Sequence, residues 1–291
     1  MDPIIPATVF VSQSSDISVS GTYFRPPIHY VGMLSAVETA KLALKLALFR
    51  RFAKRSDVQA ILSLDRFFAD SVTASPQVKS KIQFLPDLVP VSADQILAAK
   101  SAANGPGNGR IRFLLFGALF RRKGLFETLK AIELLTADVA SACEVRFCGQ
   151  LPDESADARS TITDLLNRSP AEVSLVDRFL LTEDLAIEVA SADVILAPYV
   201  NHKGSSGTLY WAAAFGKPVI AQDYGLVGKE VREFDLGLTV EVGKPQAIAQ
   251  AIERFVRGQT PGRNPDRIRK FYHGHTRAEF GRRIEQAMIG H

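Results

Sequence analysis

From residue 110 onward, short apolar runs alternate with longer stretches in which apolar residues recur every three or four positions. RIRFLLFGAL (110–119) reads as a strand, and KGLFETLKAIELL (123–135) as a helix with Leu125, Leu129, Ile132 and Leu135 on one face. The same alternation continues with the strand EVRFCG (144–149), helix signals around 156–166, the apolar run VSLV (173–176) and a helix over 183–190. DVILAP (193–198) is the next strand, followed by a glycine-rich loop and small-residue helix (204–215) and the strand PVIAQ (218–222). A helix over 227–234, the strand LTVEV (238–242) and the helix PQAIAQAIERFVRG (245–258), closed by Gly258, complete the series. Strands of four to eight apolar residues separated by helices form parallel sheets covered on both faces. Residues 110–260 are therefore expected to form one doubly wound α/β domain. Ligands in such sheets bind outside the carboxyl ends of the strands, which directs attention to the turns 117–124, 149–154, 177–184, 198–206 and 222–228.

The first hundred residues carry a sparser pattern. A long helical stretch (34–55) leads to the strand AILSL (60–64), the helical DRFFADSV (65–72) and the apolar IQFLP (82–86). This predicts a smaller, incomplete α/β region over 1–100. SAANGPGNG (101–109), small and rich in Gly, reads as the linker between the two, and the tail 261–291 as an amphipathic helix over about 276–288. No internal repeat is evident.

Composition narrows the class without choosing a function. With 46% apolar and 23% charged residues in 291, the chain can bury a real core, which excludes disorder for most of it. A net charge of +4 and a pI near 9.1 suit anionic small molecules or membrane surfaces as well as nucleic acid. Cys143 and Cys148, five apart in one strand, point to opposite faces and offer neither a metal pair nor a disulfide framework. MDPIIPATVF lacks the basic, then apolar, start of a secretory signal, so a cytoplasmic location is expected. The run 42–52 is interrupted by Lys45 and Arg50-Arg51, far short of the roughly 20 apolar residues of a spanning helix. The stretch 40–55 sets Lys41, Lys45, Arg50, Arg51, Lys54 and Arg55 beside Leu42, Leu46, Phe49 and Phe52. That suits peripheral contact with an anionic membrane or a core helix with cations at its C-terminal end.

Two turns hold the candidate chemistry. In KGSSGTLYWAAAFGKPVIAQDYG (203–225), Ser205 or Ser206 can cap a helix whose first free N–H groups point into the site. Gly204 and Gly207 let an anion approach the bare backbone. A phosphate fits there; an ordinary serine cap with glycines serving the turn fits too. The spacing matches neither a Walker loop nor the dinucleotide fingerprint. FGALFRRKG (116–124) follows a strand with Gly117 and places Arg121, Arg122 and Lys123 at a helix N-terminus, where cations oppose the helix dipole. A bound diphosphate removes that conflict, and so does full solvation of the loop. His202 can donate to a phosphate or act as acid or base, or be a plain loop residue. Trp211 is a packing residue or a platform for a nucleobase.

Taken in order, FLLFGALFRRKGLFETLKAIELL, VRFCGQL, EDLAIEVASADVILAPY, GSSGTLYWAAAFGKPVIAQDYG and GLTVEVGKPQAIAQAI make region 110–258 resemble the C-terminal, donor-binding domain of the GT-B glycosyltransferases of group 1. The stretch 56–90 resembles the end of that family's acceptor domain, whose first half is not evident, and the tail the helix that crosses back to it. The resemblance implies two Rossmann-like domains and a nucleoside-diphosphate sugar as donor. It implies a glycan or lipid-linked acceptor, no cofactor, no metal and no nucleic acid. Lys123, Arg121, Gly117, Gly204, Ser205, Ser206, Gly207 and Trp211 are then expected at the donor, with Lys203 and His202 at the transferred group. Two departures follow from the same alignment. The paired glutamates of the family's retaining members fall on Lys203 and Trp211, and its phosphate-binding arginine falls on Ala118, while its lysine is kept as Lys123. An indole has one N–H donor and cannot accept ribose hydroxyls as a carboxylate does. Three readings stay open: a transferase with a variant donor site, a binding protein of the same architecture without catalysis, and a nucleotide-sugar epimerase.

Overall fold

The computed structural model describes residues 18–23, 27–30, 34–72, 75–89, 91–104, 109–152, 156–260 and 262–289. Contacts divide the chain into two units, one of residues 1–88, 203–205 and 274–291, the other of 89–202 and 206–273.

The first unit is built on three parallel strands in the order β1 (Val19–Thr22), β2 (Val58–Ser63), β3 (Ile82–Phe84). A short 3-10 helix (Pro27–Tyr30) and α1 (Ala36–Ala53) lead to β2, and α2 (Phe68–Val72) and α3 (Pro76–Lys79) lead on to β3. α1 starts at a capping box. The Ser35 hydroxyl accepts from the Glu38 N–H, and the Glu38 carboxylate accepts from the Ser35 N–H, an arrangement worth about 1 kcal/mol. Leu42, Phe49 and Ala53 of α1 are buried, and Phe49 meets Tyr23 and Phe68 at ring separations of 5.1 and 5.0 Å. The apolar residues expected either at a membrane or in a core include Leu42 and Phe49, and these two are core. No described helix is long and apolar enough to cross a membrane.

The second unit opens with α4 (Ala93–Ala102), capped by a second such box between Ser92 and Gln95. It continues through β4 (Ile111–Phe116), a 3-10 turn (Arg121–Lys123), α5 (Leu125–Glu133), α6 (Ala137–Ser141), β5 (Cys143–Cys148), α7 (Ala156–Arg168) and β6 (Glu172–Val176). Then come α8 (Thr182–Ser191), β7 (Val194–Ala197), α9 (Gly207–Ala214), β8 (Val219–Gln222), α10 (Gly225–Glu233), β9 (Gly237–Val240), α11 (Pro245–Val256) and α12 (Pro265–Tyr272). The six strands are parallel in the order β6-β5-β4-β7-β8-β9. The chain thus builds outward from β4 in one direction and from β7 in the other, and the switch point lies between those two strands. Period-two alternation sends Phe113, Leu115, Val145, Phe147, Leu196 and Ile220 into one core with Leu129 and Ile132 of α5 and Ile248, Ile252 and Phe255 of α11. This is the doubly wound Rossmann-like sheet expected from the sequence. Both cysteines are free, and burial pushes the Cys143 thiol up to about 11 and the Cys148 thiol up to about 12.

Two boundaries differ from the expectation. α4 packs on α8 and belongs to the second unit, so the division falls at 88/89 and the Gly-rich stretch 101–109 marks the passage from α4 to β4; residues 105–108 lie outside the described set. The tail holds two helices rather than one. α12 stays with the second unit, where Phe271 stacks on Tyr210 at 4.6 Å, while α13 (Arg277–Ile289) belongs to the first. There Ala287, Phe280 and Ile284 cover Ala60, Leu62 and Leu85, the sheet face opposite α1.

Candidate functional site

The switch point brings together the loop after β4 and the loop after β7. Gly124 lies at the start of α5 with φ +78°, and a Cβ there would stand 2.1 Å from the Pro198 carbonyl oxygen, so only glycine permits this approach. The Val200 N–H donates to the Arg122 carbonyl at 2.9 Å and fixes the same two loops side by side. Arg121, Arg122 and Lys123 form one 3-10 turn and diverge. The Arg121 guanidinium rests over Phe126 at 5.6 Å and Arg122 is exposed, whereas Lys123 is turned inward.

Lys123 is the centre of a compact cluster. Its ammonium donates to the Tyr199 Oη and to the Thr208 Oγ1, each at 3.3 Å. It lies over the Tyr199 ring at 4.9 Å and the Phe116 ring at 5.9 Å. Gly117, with φ +97°, makes room for it, since a Cβ there would come within 3.1 Å of Nζ. The Tyr199 phenol donates to Thr208 Oγ1 at 2.7 Å and shares a hydrogen bond of 2.7 Å with Ser206 Oγ. Tyr199, Ser206 and Thr208 are all buried. Among the described residues the partners of this ammonium are hydroxyls and rings, with no carboxylate. Ser206 is the N-cap of α9 but makes no side-chain cap bond, its hydroxyl being committed to Tyr199. The cluster therefore sets an ammonium beside the unsatisfied N–H groups of a helix start, a combination that attracts an anion.

Behind the cluster the packing is aromatic. Trp211, 7% exposed, meets Phe116 edge-on at 6.3 Å and stacks on Phe215 at 5.9 Å. His202 lies 4.8 Å from Tyr199 between ring centroids, and its carbonyl accepts from Gln222 Nε2 at 3.4 Å. Tyr224, from the turn after β8, straps the β7 loop. It donates to the Tyr199 carbonyl at 2.9 Å and accepts from the Asn201 N–H at 2.8 Å, where Asn201 takes a left-handed φ of 53°. Burial pushes the Tyr224 phenol up from its ordinary pKa, so it stays neutral and able to donate at physiological pH.

Of the residues expected from sequence, the second unit thus gathers Gly117, Lys123 and Ser206, with Gly207 opening α9 and His202 and Trp211 beside them. Lys203, Gly204 and Ser205 fall with the first unit, Gly204 having φ +119°. Tyr199, Thr208 and Tyr224 were missed. Thr208 stands two residues after Ser206 at the mouth of a helix and was the legible one of the three. Among the described residues no group of three or more His, Cys, Asp or Glu is gathered to hold a metal ion.

The family model described as glycosyl transferases group 1 matches residues 110–257, about half of the chain. The chain belongs to that family. Several solved structures share its GT-B fold. The trehalose-phosphate synthase (UDP-forming) of Burkholderia xenovorans, in complex with glucose-6-phosphate, superposes with a TM-score of 0.64 at 12% identity, covering 94% of this chain and 69% of that one. Anabaena HepE in complex with UDP and glucose gives 0.61 at 14% identity, with 93% and 71% covered. Sucrose-phosphate synthase from Thermosynechococcus elongatus gives 0.54 at 20% identity, with 90% and 63% covered. The chain thus spans less than two thirds of that synthase's length. A search of curated protein sequences finds no match.

Proposed function

We propose that this group 1 glycosyltransferase uses a nucleoside-diphosphate sugar as donor, seats the diphosphate at the β4/β7 switch point and transfers a hexosyl group to a glycan or lipid-linked acceptor. One observation carries the reading. An inward-turned ammonium, Lys123, meets the start of α9 with no carboxylate among its described partners. In the transfer the bond from the sugar's anomeric carbon to the diphosphate breaks and its electron pair leaves with the diphosphate. The acceptor hydroxyl oxygen bonds to that carbon, and its proton passes to the departing diphosphate. The main electrostatic demand is the charge growing on the departing diphosphate, which an ammonium and preorganised N–H groups meet without a metal. Lys123 and the amides of Ser206 and Gly207 serve this role, with Gly117 leaving space. Arg121 extends the donor contacts and His202 exchanges a proton at the leaving group. The setting is polysaccharide assembly in the cytoplasm, at the inner face of a membrane when the acceptor is lipid-linked.

A second reading, nucleotide or glycan binding without turnover, is favoured by the indole of Trp211 and the ammonium of Lys203 at the positions the resemblance assigns to carboxylates. One experiment separates the two. Thermal-shift titration with UDP, GDP, ADP and their sugar conjugates is followed by assay of diphosphate release from whichever conjugate binds. A melting temperature that rises with ligand as ln(1 + [L]/Kd), together with release, supports the transferase. Stabilisation without release in the presence of candidate glycans supports the binder, and no stabilisation by any of them overturns both.

A further inference from the structure

The geometry points to Tyr199 as the residue that positions the anion-binding donors of the switch point: its phenol holds Lys123, Ser206 and Thr208 so that the remaining protons of Lys123 and Thr208 face one phosphate-bearing ligand. The inference rests on the reading of that site as a diphosphate seat and goes beyond it by giving the phenol a specific task.

The argument is a count of protons. A phenol has one proton to donate and two lone pairs to receive with. Tyr199 donates to Thr208 Oγ1, so its oxygen is left to accept from the Ser206 hydroxyl and from one N–H of Lys123. Thr208 Oγ1 accepts from Tyr199 and from a second N–H of Lys123, which leaves the threonine's own proton without an acceptor among the described residues. Among the described residues the third N–H of Lys123 meets ring faces and no oxygen or nitrogen acceptor. Every internal bond is thus made, and what remains is two donors, one of them cationic. That is the complement of an anionic oxygen acceptor. A phenylalanine at 199 keeps the ring under the ammonium but removes the oxygen that holds Ser206 and Lys123 and the proton that turns Thr208 outward.

The ring itself is not free to drift. Tyr199 is 4% exposed, its carbonyl receives the Tyr224 phenol, and the Tyr224 oxygen in turn receives the Asn201 N–H. Two tyrosines from successive strand ends therefore fix the phenol oxygen in front of α9. Tyr199 does not reach the ligand in this arrangement. It acts through Lys123 and Thr208.

Tyr199→Phe, Lys123→Met and the double variant of the full chain test this, with affinities for UDP, GDP and ADP, and for uridine, guanosine and adenosine, measured by calorimetry up to millimolar ligand. Tyr199→Phe should keep the melting temperature within a few degrees and weaken the diphosphate that binds the parent about tenfold, the scale of a lost hydrogen bond to a charged group. Affinity for the matching nucleoside should change less than about twofold. The double variant should fall below Lys123→Met by clearly less than Tyr199→Phe loses on its own, because the phenol acts in part through the ammonium and in part through Thr208. Equal losses for nucleoside and diphosphate, or losses that add in full in the double variant, reduce Tyr199 to a packing residue. An unchanged diphosphate affinity in Tyr199→Phe overturns the inference while leaving the diphosphate seat intact. A parent that binds none of the three diphosphates overturns the seat and the inference together.

Discussion

Two polar clusters, one in each unit, are completed in opposite ways. In the first, His29 Nε2 and the buried Asp65 carboxylate meet at 2.8 Å, and the other oxygen of Asp65 accepts the Phe67 N–H at 2.9 Å. The buried His275 is bonded to the Asp87 carbonyl and to Arg66. These groups answer one another. In the second unit the Lys123 cluster answers itself only in part, leaving a cation among hydroxyls at a helix start. Half-burying a cation among hydroxyls costs stability unless an anion offsets it, which the proposed diphosphate would do. A second contrast concerns closure. The six-stranded sheet is covered by helices drawn from its own stretch of chain, whereas the three-stranded sheet borrows α13 from the far end.

The largest expected effect tests that borrowing. Deleting residues 274–291 strips Phe280, Ile284 and Ala287 from Ala60, Leu62 and Leu85. At about 1.5–3 kcal/mol for each large apolar side chain, the loss is roughly 5 kcal/mol, comparable to the whole stability of a small domain. Two calorimetric transitions, with only the lower one lost or shifted, are expected. A single transition moved as a whole would mean that the two units melt as one.

Next in size is the junction that forms the switch point. Gly124→Val places a branched Cβ where 2.1 Å separates it from the Pro198 carbonyl and forces a left-handed φ on a branched residue. Strain and overpacking together come to about 2–6 kcal/mol. Gly258→Val shares the left-handed φ, +67°, but meets open space, so only the strain, about 1–3 kcal/mol, applies. Equal losses of stability in urea titrations of the two variants would show that backbone angle, not the approach of the loops, governs the junction.

How much of this was legible in the chain follows the range of the interaction. The sheet was readable because Phe113, Leu115, Val145 and Phe147 announce their strands locally, and because the turn signals recur at strand ends. α4 carried a local sign as well, the capping box of Ser92 and Gln95, overlooked because Gly and Pro nearby read as a linker. β1, with Val19, Ser20, Gly21 and Thr22, has almost no apolar pattern and is held by pairing with β2. The phenol of Tyr199 meets Lys123 across 76 positions of sequence, and no periodicity encodes such a pairing. Lys123 itself was legible, since three cations at a helix start conflict with the dipole, although only one of the three turns inward.

Lys123→Met sharpens the contrast between the units at the level of binding. The affinity for the nucleoside diphosphate that stabilises the parent should fall by about 1.5–3 kcal/mol, a factor of roughly 10 to 150, as a charged hydrogen-bond donor is lost. The ligand-free protein should melt no lower than the parent, because the removed charge has hydroxyls and rings as its described partners. Lys79→Met in the first unit removes a surface partner of Asp70 and should leave both quantities unchanged, as exposed pairs contribute little. A destabilised Lys123→Met protein that still binds diphosphate at full strength would assign the lysine to the fold.

The smallest effect belongs to an exposed clamp on the borrowed helix. Arg282, and after it Arg283, hydrogen-bond the Glu279 carboxylate and hold its pKa down to about 2. A carboxylate depressed in the folded state binds its proton more readily in the unfolded one, so its contribution is present above the ordinary range near 4.5 and is lost as pH falls toward 2. Glu279→Gln should therefore lower the melting temperature of the first unit slightly at pH 7. The difference from the parent should shrink through pH 4 and 3, and 1 M salt should weaken it because the group is partly open to solvent. The sign is the discriminating feature. A difference that widens on acidification would mean that the neutral side chain, rather than the ionised one, is what the two arginines favour.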